Sequence, residues 1–465
     1  MGISTAMEIG KNGLNIYRIA QEVTGENIAN VNTPGYSRQR VILESAPPTA
    51  ANGHPLGTGV RIAAIERYYD GLLQQQLVNA QTTQGFDTTK SNVLRQIEPS
   101  FNEITNDGIG TAVTNYFSAW QDLSLNPGGS AERQVVLSRA QILADNFNSV
   151  SRSLNDSISI QNASLVPLTD SINNTLNNIA QLNGQIRTTE MVSGNANEMR
   201  DQRDQLIRDL SLNIGITFTE NSDGSTDVNY ADGGAALVTG SVAGVFSLDK
   251  TLPNSYVVQL TPPAGVLATV TPTTGKLGAL VALRDTIIPD YLTQVDTLAK
   301  SVADAVNTLH SASFSPAGGT GQNFFTPLAA IPGSAAAFSI AAGLNINTIA
   351  ASGSAVLPGD NSRALAIAQL ANANTVPSGS PTATFSSFYS AFVSKVGLDV
   401  QSSQTKVAQD EAFTRQLSAI RESNSGVSLD EELTNLIKYQ RSYQASAKLI
   451  TTATEMMDIV INMVR

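Results

Sequence analysis

His54 and His310 are the only imidazoles in 465 residues, and the chain has no cysteine to offer a metal, a substrate or a disulfide. A site built on two histidines needs carboxylate partners that the sequence does not assign, so both read as packing or solvated residues. Asp430-Glu431-Glu432 could serve acid–base chemistry, but the run opens an apolar-periodic helix, where the helix dipole accounts for it. Arg200, Asp204 and Arg208 share a helix face at four-residue spacing and read as a solvated salt-bridge ladder. Gly57-Thr58-Gly59 and Gly108-Ile109-Gly110 lack the third glycine and strand–helix setting of a dinucleotide loop. Gly275-Lys276-Leu277 lacks the Ser or Thr of a phosphate loop, and no Gly-x-Ser-x-Gly elbow occurs. Trp120, Tyr439 and Tyr443 read as packing residues. The chain is therefore expected to be no enzyme and to use no cofactor and no metal.

Charged residues make up 14% of the chain, against about 25% in an average soluble domain. The formal net charge of -11 and the lack of a Lys/Arg cluster leave no footprint for nucleic acid. No apolar run approaches the roughly 18 residues of a membrane span, so no membrane partner is expected. Glu8 and Lys11 interrupt the N-terminal apolar residues, which argues against the general secretory route.

The elements that remain to be explained lie at the two ends. Leu429, Leu433, Leu436, Gln440, Tyr443, Ala447, Ile450, Thr454, Met457, Ile461 and Val464 alternate four and three apart, the period of a coiled-coil seam. Ile3, Met7, Gly10, Leu14, Tyr17, Gln21, Thr24, Ile28 and Val31 repeat that spacing at the N-terminus, and the two stripes are expected to pack on each other. The first helix stops near Val31, because Pro34 disfavours the α region at Thr33, and Pro34-Gly35 suits the centre of a type II turn. Residues 41–65 read as an extended connector. A long helical region follows to about residue 212, punctuated at Pro99, Pro127-Gly128-Gly129 and Pro167.

Alternation at Ile214, Ile216 and Phe218, a turn at Ser222-Asp223-Gly224-Ser225 and renewed alternation at Thr226, Val228 and Tyr230 open a β-rich insert. Helix returns around Ile288, with Pro289 at a start or kink. Residues 314–381 read as short strands and loops with a helix near Arg363. Ser428 with Glu431 fits a capping box. The expected fold is mainly α with β-rich insertions, a central helical bundle and paired N- and C-terminal coiled-coil helices. Its discontinuous domains are a terminal assembly domain (1–50 and 427–465), a helical shaft (51–212, 277–311 and 382–426), a β-rich insert (213–276) and a loop- and β-rich outer insert (312–381).

The segment from Asn27 through Ala29, Asn30, Val31, Asn32, Thr33, Pro34, Gly35 and Tyr36 to Gln39 resembles the signature of bacterial flagellar rod, hook and hook-associated proteins. Ser425 to Glu432 and Asn435 to Ala447 resemble the hook-associated branch, since rod and hook proteins usually carry Asn where Ser446 stands. Asp201-Gln202-Arg203-Asp204, Leu283 to Pro289, Asp296-Thr297-Leu298-Ala299, Asn307-Thr308-Leu309-His310 and Gly359 to Ala364 agree.

The resemblance implies a structural subunit at the hook–filament junction that is exported unfolded through the flagellar type III channel and ordered on assembly. The nearest alternatives are another axial rod or hook subunit and, further off, a flagellum-associated wall hydrolase. The implied partners are further copies in a helical layer, the hook protein, hook-associated protein 3 and a cytoplasmic export chaperone. The C-terminal seam at Leu429, Leu433, Leu436, Tyr443, Ala447, Ile450, Met457, Ile461 and Val464 is expected to serve both assembly and the chaperone.

Overall fold

The computed structural model describes residues 2–51, 54–101, 103, 108–252, 254–357, 359–377 and 382–463. Helix α1 (Gly2–Ala29) ends before the Pro34-Gly35 turn, and the chain then forms a ribbon rather than the expected connector. Strands β1 (Gln39–Ser45) and β4 (Val60–Arg67) pair antiparallel, with Gln39 opposite Arg67 and a bulge between Ile42 and Leu43. The short β2 (Thr49–Ala51) and β3 (His54–Leu56) pair beyond them. Pro47 and Pro48 cannot donate to a ladder, so the long pairing falls to the flanking runs that contain Val41, Ile42, Val60 and Ile62.

Helix α2 (Gly71–Ile97) starts on Asp70, whose carboxylate accepts from the Leu73 amide at 3.0 Å. A 3-10 turn at Pro99 and the Pro127-Gly128-Gly129 break flank α3 (Ile109–Leu125) as expected. Helix α4 (Ser130–Ser193) then runs 64 residues and passes through Pro167, where a break was expected. Leu165, Leu168 and Ile172 on either side of the proline are buried in one core, and that packing outweighs the lost backbone bond. Helix α5 (Asn197–Asn213) returns along α4.

The β insert holds two antiparallel sheets. One has the order β5 (Ile216–Glu220), β6 (Thr226–Tyr230), β7 (Ala236–Thr239), β8 (Val242–Ala243), and the other places β10 (Val257–Thr261) between β9 (Val245–Asp249) and β11 (Ala268–Thr269). Helices α6 (Gly275–Ala282) and α7 (Ile288–Ser311) are joined by a π turn, Leu283–Ile287, placed where Pro289 cannot donate. Two short helices, α8 (Ser334–Ala337) and α9 (Ser362–Gln369), precede the long α10 (Phe385–Ser425) and α11 (Leu429–Met463).

In residues 312–381 the expected strands reduce, among the described residues, to isolated bridges such as Phe314 with Ser352 and Phe325 with Ile340. Side chains of the helices take the backbone groups that a sheet would have used. Asn307 accepts from the Phe324 and Phe325 amides at 2.8 and 2.9 Å, and Asp296 accepts from Gly333 and Ala335 at 2.8 and 2.7 Å. His310 does the same, its Nε2 accepting from the Ala350 amide at 2.9 Å while Nδ1 faces the Gln322 carbonyl at 2.5 Å. Burial lowers the His310 pKa to about 4, so the ring is held neutral. These contacts join the segment to a core that contains Trp120, Phe147, Val302 and Phe325. A second core joins the far half of α4 to α5, α6 and the β insert through Ile179, Ile207, Val228 and Leu277. Leu73, Leu77 and Ala80 of α2 bury Leu417 of α10.

Candidate assembly site at the paired termini

Beyond Ala29 the backbone turns tightly. Asn30 Nδ2 donates to the Glu26 carbonyl at 3.1 Å and its Oδ1 accepts from Thr33 Oγ1 at 3.0 Å. The Tyr36 amide closes the Pro34-Gly35 turn on the Thr33 carbonyl at 3.2 Å, with Gly35 at φ 85°. The turn is held from outside as well, since Arg421 Nη2 on α10 donates to the Gly35 carbonyl at 2.8 Å. Asn30, Thr33, Pro34, Gly35 and Tyr36 form one wall of a groove whose other wall is α4 and α5, while Ala29 and Asn32 are exposed.

The residue that ties the turn to the C-terminus is Asn27, buried on α1. Its amide nitrogen donates to the Gln39 carbonyl at 2.9 Å and to Glu432 Oε2 at 3.0 Å. Its oxygen accepts from the Gln39 amide at 2.9 Å and from the Tyr36 hydroxyl at 2.8 Å, which uses the full capacity of the group. Arg38 then pairs with Glu431 at 2.5 Å and Glu432 at 2.7 Å. Glu432 is therefore a buried anchor of α11, whereas the helix dipole alone accounted for it in sequence, and Glu431, expected as a capping partner of Ser428, serves Arg38.

The expected solvated ladder on α5 is also corrected. Asp204 and Arg208 are buried, and each has a partner on another element. Arg67 of β4 reaches Asp201 and Asp204, both at 2.7 Å, and Arg208 donates to Gln74 of α2 at 2.8 Å. Burial alone would lower the Arg67 pKa, but the two carboxylates raise it above the ordinary arginine value. Asp201 also accepts from the Ser37 amide at 2.7 Å, which fastens the signature turn to the shaft. Solvated and buried ladders share one spacing, and only the return of β4 over α5 separates them.

The two end helices pack antiparallel on each other. A Cβ on Gly10 would lie 2.6 Å from Ile450 Cγ1, and one on Gly13 would lie 2.6 Å from Ser446 Oγ, so both positions require glycine for this approach. Tyr17 stacks on Tyr439 with ring centroids 6.4 Å apart. The buried residues of α1 are Gly10, Gly13, Ile16, Ala20, Val23, Thr24 and Asn27, of which the expected stripe held Gly10 and Thr24. On α11, Leu436, Ala447, Ile450 and Met457 of the expected seam are half-buried, whereas Leu429, Leu433, Tyr443 and Ile461 are exposed. Val464 lies outside the described residues. The heptad stripe thus straddles the contact, one edge on α1 and the other open. Glu432, Tyr439, Ser446 and Ala453, which an apolar heptad passes over, complete the inner face.

Among the described residues no cluster of His, Asp and Glu could hold a metal, and no helix is long and apolar enough to cross a membrane. His54 lies in β3, and its side chain is outside the described residues.

Residues 94–325 match the model of the flagellar hook-associated protein FlgK helical domain. Residues 7–36 match that of the flagella basal body rod protein, and 421–463 that of the flagellar basal body rod FlgEFG protein C-terminal region. The chain is 28% identical to flagellar hook-associated protein 1 of Bacillus subtilis (strain 168), over 99% of this chain and 98% of that one. It is 25% identical to flagellar hook-associated protein 1 of Escherichia coli (strain K12), over 99% and 100%. The fold resembles the structure of the flagellar hook junction protein FlgK from Burkholderia pseudomallei, with a TM-score of 0.67 and 18% identity over 76% of this chain and 100% of that one.

Proposed function

The chain belongs to the FlgK family of flagellar hook-associated proteins, and on that premise we propose that it is a structural, non-catalytic subunit of the bacterial flagellum seated between hook and filament. The observation that carries this reading is the end-helix pair, joined through glycines on one side and apolar but uncovered on the other. Burial of apolar area is the main favourable term in association. Such a helix completes its burial only against neighbours, which suits a subunit stacked in a helical layer with further copies, with the hook protein on one side and hook-associated protein 3 on the other. Before assembly the same apolar edge would be held by a cytoplasmic chaperone in the helix-in-groove manner. Export in an unfolded state and ordering on arrival follow from the same division, because the ends lack partners until then. The rod-protein likeness at both ends belongs to the axial proteins at large, while the long helical match at 94–325 favours the hook-associated member over a rod or hook subunit. Electron microscopy of cells lacking the gene tests the position. Hooks without filaments are expected, and missing hooks would assign the chain to the rod or hook instead.

A further inference from the structure

Helices α2 and α10 lie side by side along matching seven-residue stripes. On α2 the stripe is Leu73, Leu77, Ala80, Gln84, Asp87, Ser91 and Leu94, and on α10 it is Val396, Val400, Ser403, Val407, Asp410, Thr414 and Leu417. Asp87 meets Asp410 while Leu417 packs on Leu73, Leu77 and Ala80, so the two helices run antiparallel. Both ends of the seam are apolar, since Leu94, Ile97, Val396 and Val400 belong to the shaft core at the end opposite Leu417. The middle is polar.

That middle is poorly satisfied. Ser403 Oγ, Thr414 Oγ1 and Asp410 Oδ2 are buried without a hydrogen-bond donor or acceptor among the described residues, apart from the Asp87 carboxyl that faces Asp410. The charges that act on Asp410 are Asp87 across the seam and Lys406 on its own helix, while the neighbouring Glu411 pairs with Arg415 at 3.5 Å. Two carboxylates in contact repel unless one keeps a proton, and burial together with the Asp87 charge raises the Asp410 pKa above the ordinary carboxylate value. On the far side of α2, helix α5 adds no charge at this level, because a Cβ on Gly85 would collide with the Leu212 carbonyl. Helix α2 is thus pinned to the shaft, and α10, with Phe413 and Ile420 exposed, is the partner free to move.

We propose that the Asp87–Asp410 pair is a proton-operated latch in the seam that carries the end helices. With one proton shared between the carboxyls the middle of the seam is closed. With both ionised, residues 404–417 of α10 part from α2. The opening reaches the paired termini, because the end of α10 gives Arg421 to the Gly35 carbonyl and its Ser425 carbonyl to the Arg38 amide, each at 2.8 Å. A raised carboxyl contributes its stability below the ordinary value of about 3.9 and loses it as pH rises through the raised one, so the latch opens toward high pH.

Amide exchange of the full-length monomer, followed as protection factors from about pH 4 to about pH 8, tests this. Residues 388–400 of the same helix, packed in the shaft core, serve as the internal reference. Protection of residues 404–417 relative to that reference should fall as pH rises, by about tenfold for each pH unit between the ordinary and the raised pKa. Asp410→Asn keeps the shape and donates to Asp87 without titrating, so its ratio should stay high and flat. Asp87→Asn donates the other way and should give the same result, which covers the case in which one variant fails to fold. A flat ratio in the unsubstituted chain, or a slope that survives in either folded variant, would overturn the proposal. Protection restored at high pH by calcium chloride but not by sodium chloride of equal ionic strength would also overturn it, since a cation and not a proton would then hold the pair.

Discussion

The shaft and the end helices spend apolar residues of similar kind in opposite ways. Trp120 and Phe147 in the shaft core have no solvent exposure, whereas Val460 and Met463 of α11 are 50% and 81% exposed. The shaft finishes its core within one chain, with the segment after α7 folded back over Trp120 and His310. The end helices meet through Gly10, Gly13, Ser446, Ile450 and the Tyr17–Tyr439 stack, which leaves other large side chains such as Leu433 and Val460 exposed. A coiled-coil period in an assembly subunit therefore does not identify the partner helix.

The largest effect that could break this contrast is a cavity in the shaft. Trp120→Ala should cost about 3 to 5 kcal/mol in denaturant unfolding of the purified monomer. Val460→Ala should stay within about 0.5 kcal/mol, although it weakens incorporation into flagella. A comparable loss for both in the monomer would show that the end helices are as complete as the shaft.

Acid sharpens the contrast from the shaft side. The folded pKa of His310, lowered by burial to about 4, lies below its ordinary value of about 6.5. The linked stability is fully present above pH 6.5 and is lost as pH falls through 4, up to about 3 kcal/mol. His310→Phe should flatten that slope in melting curves of the shaft. An unchanged slope would mean that other groups set the acid limit.

Asn27→Ala probes the joint between the two regions. It leaves the Gln39 backbone groups without their Asn27 partner in a buried place and leaves Glu432 with Arg38 alone, a cost of about 1 to 3 kcal/mol. Amide exchange should quicken at the start of α11 while α7 keeps its protection. Loss of protection in α7 would mean that joint and shaft unfold as one.

The smallest effect belongs to Glu26, whose pKa is raised to about 7 by a hydrogen bond with Glu198, by burial and by the charge of Glu198. A raised carboxyl contributes its stability below about pH 4.5 and loses it as pH rises through 7. Glu26→Gln should therefore remove the difference in α1 protection factors between pH 6 and pH 8. A difference that persists in the variant would assign it elsewhere.

Much of the fold was legible in the amino-acid order because the signals were local. Pro34-Gly35 stops α1, Asp223-Gly224 turns the β5–β6 hairpin, and alternation at Ile216 and Val228 marks its strands. The chemistry of the site was less legible. Asn27 falls one residue away from Ile28 of the expected stripe, because a seven-residue period drifts against a helix of 3.6 residues per turn. Asp204 and Glu432 have the spacing of surface charges, and only long-range partners, Arg67 and Arg38, reveal them as buried anchors. Pro167 reads as a break until the leucines around it are seen in one core.

Amide exchange of the same subunit, free as a verified monomer and incorporated in isolated flagella, tests the central claim most directly. Residues 116–154 and 288–306 should be protected in both states, while residues 2–20 and 433–463 should exchange quickly in the monomer and slowly in the flagellum. Protection of the end helices in the monomer equal to that of the shaft would contradict the account, because those helices would then need no neighbour to be complete.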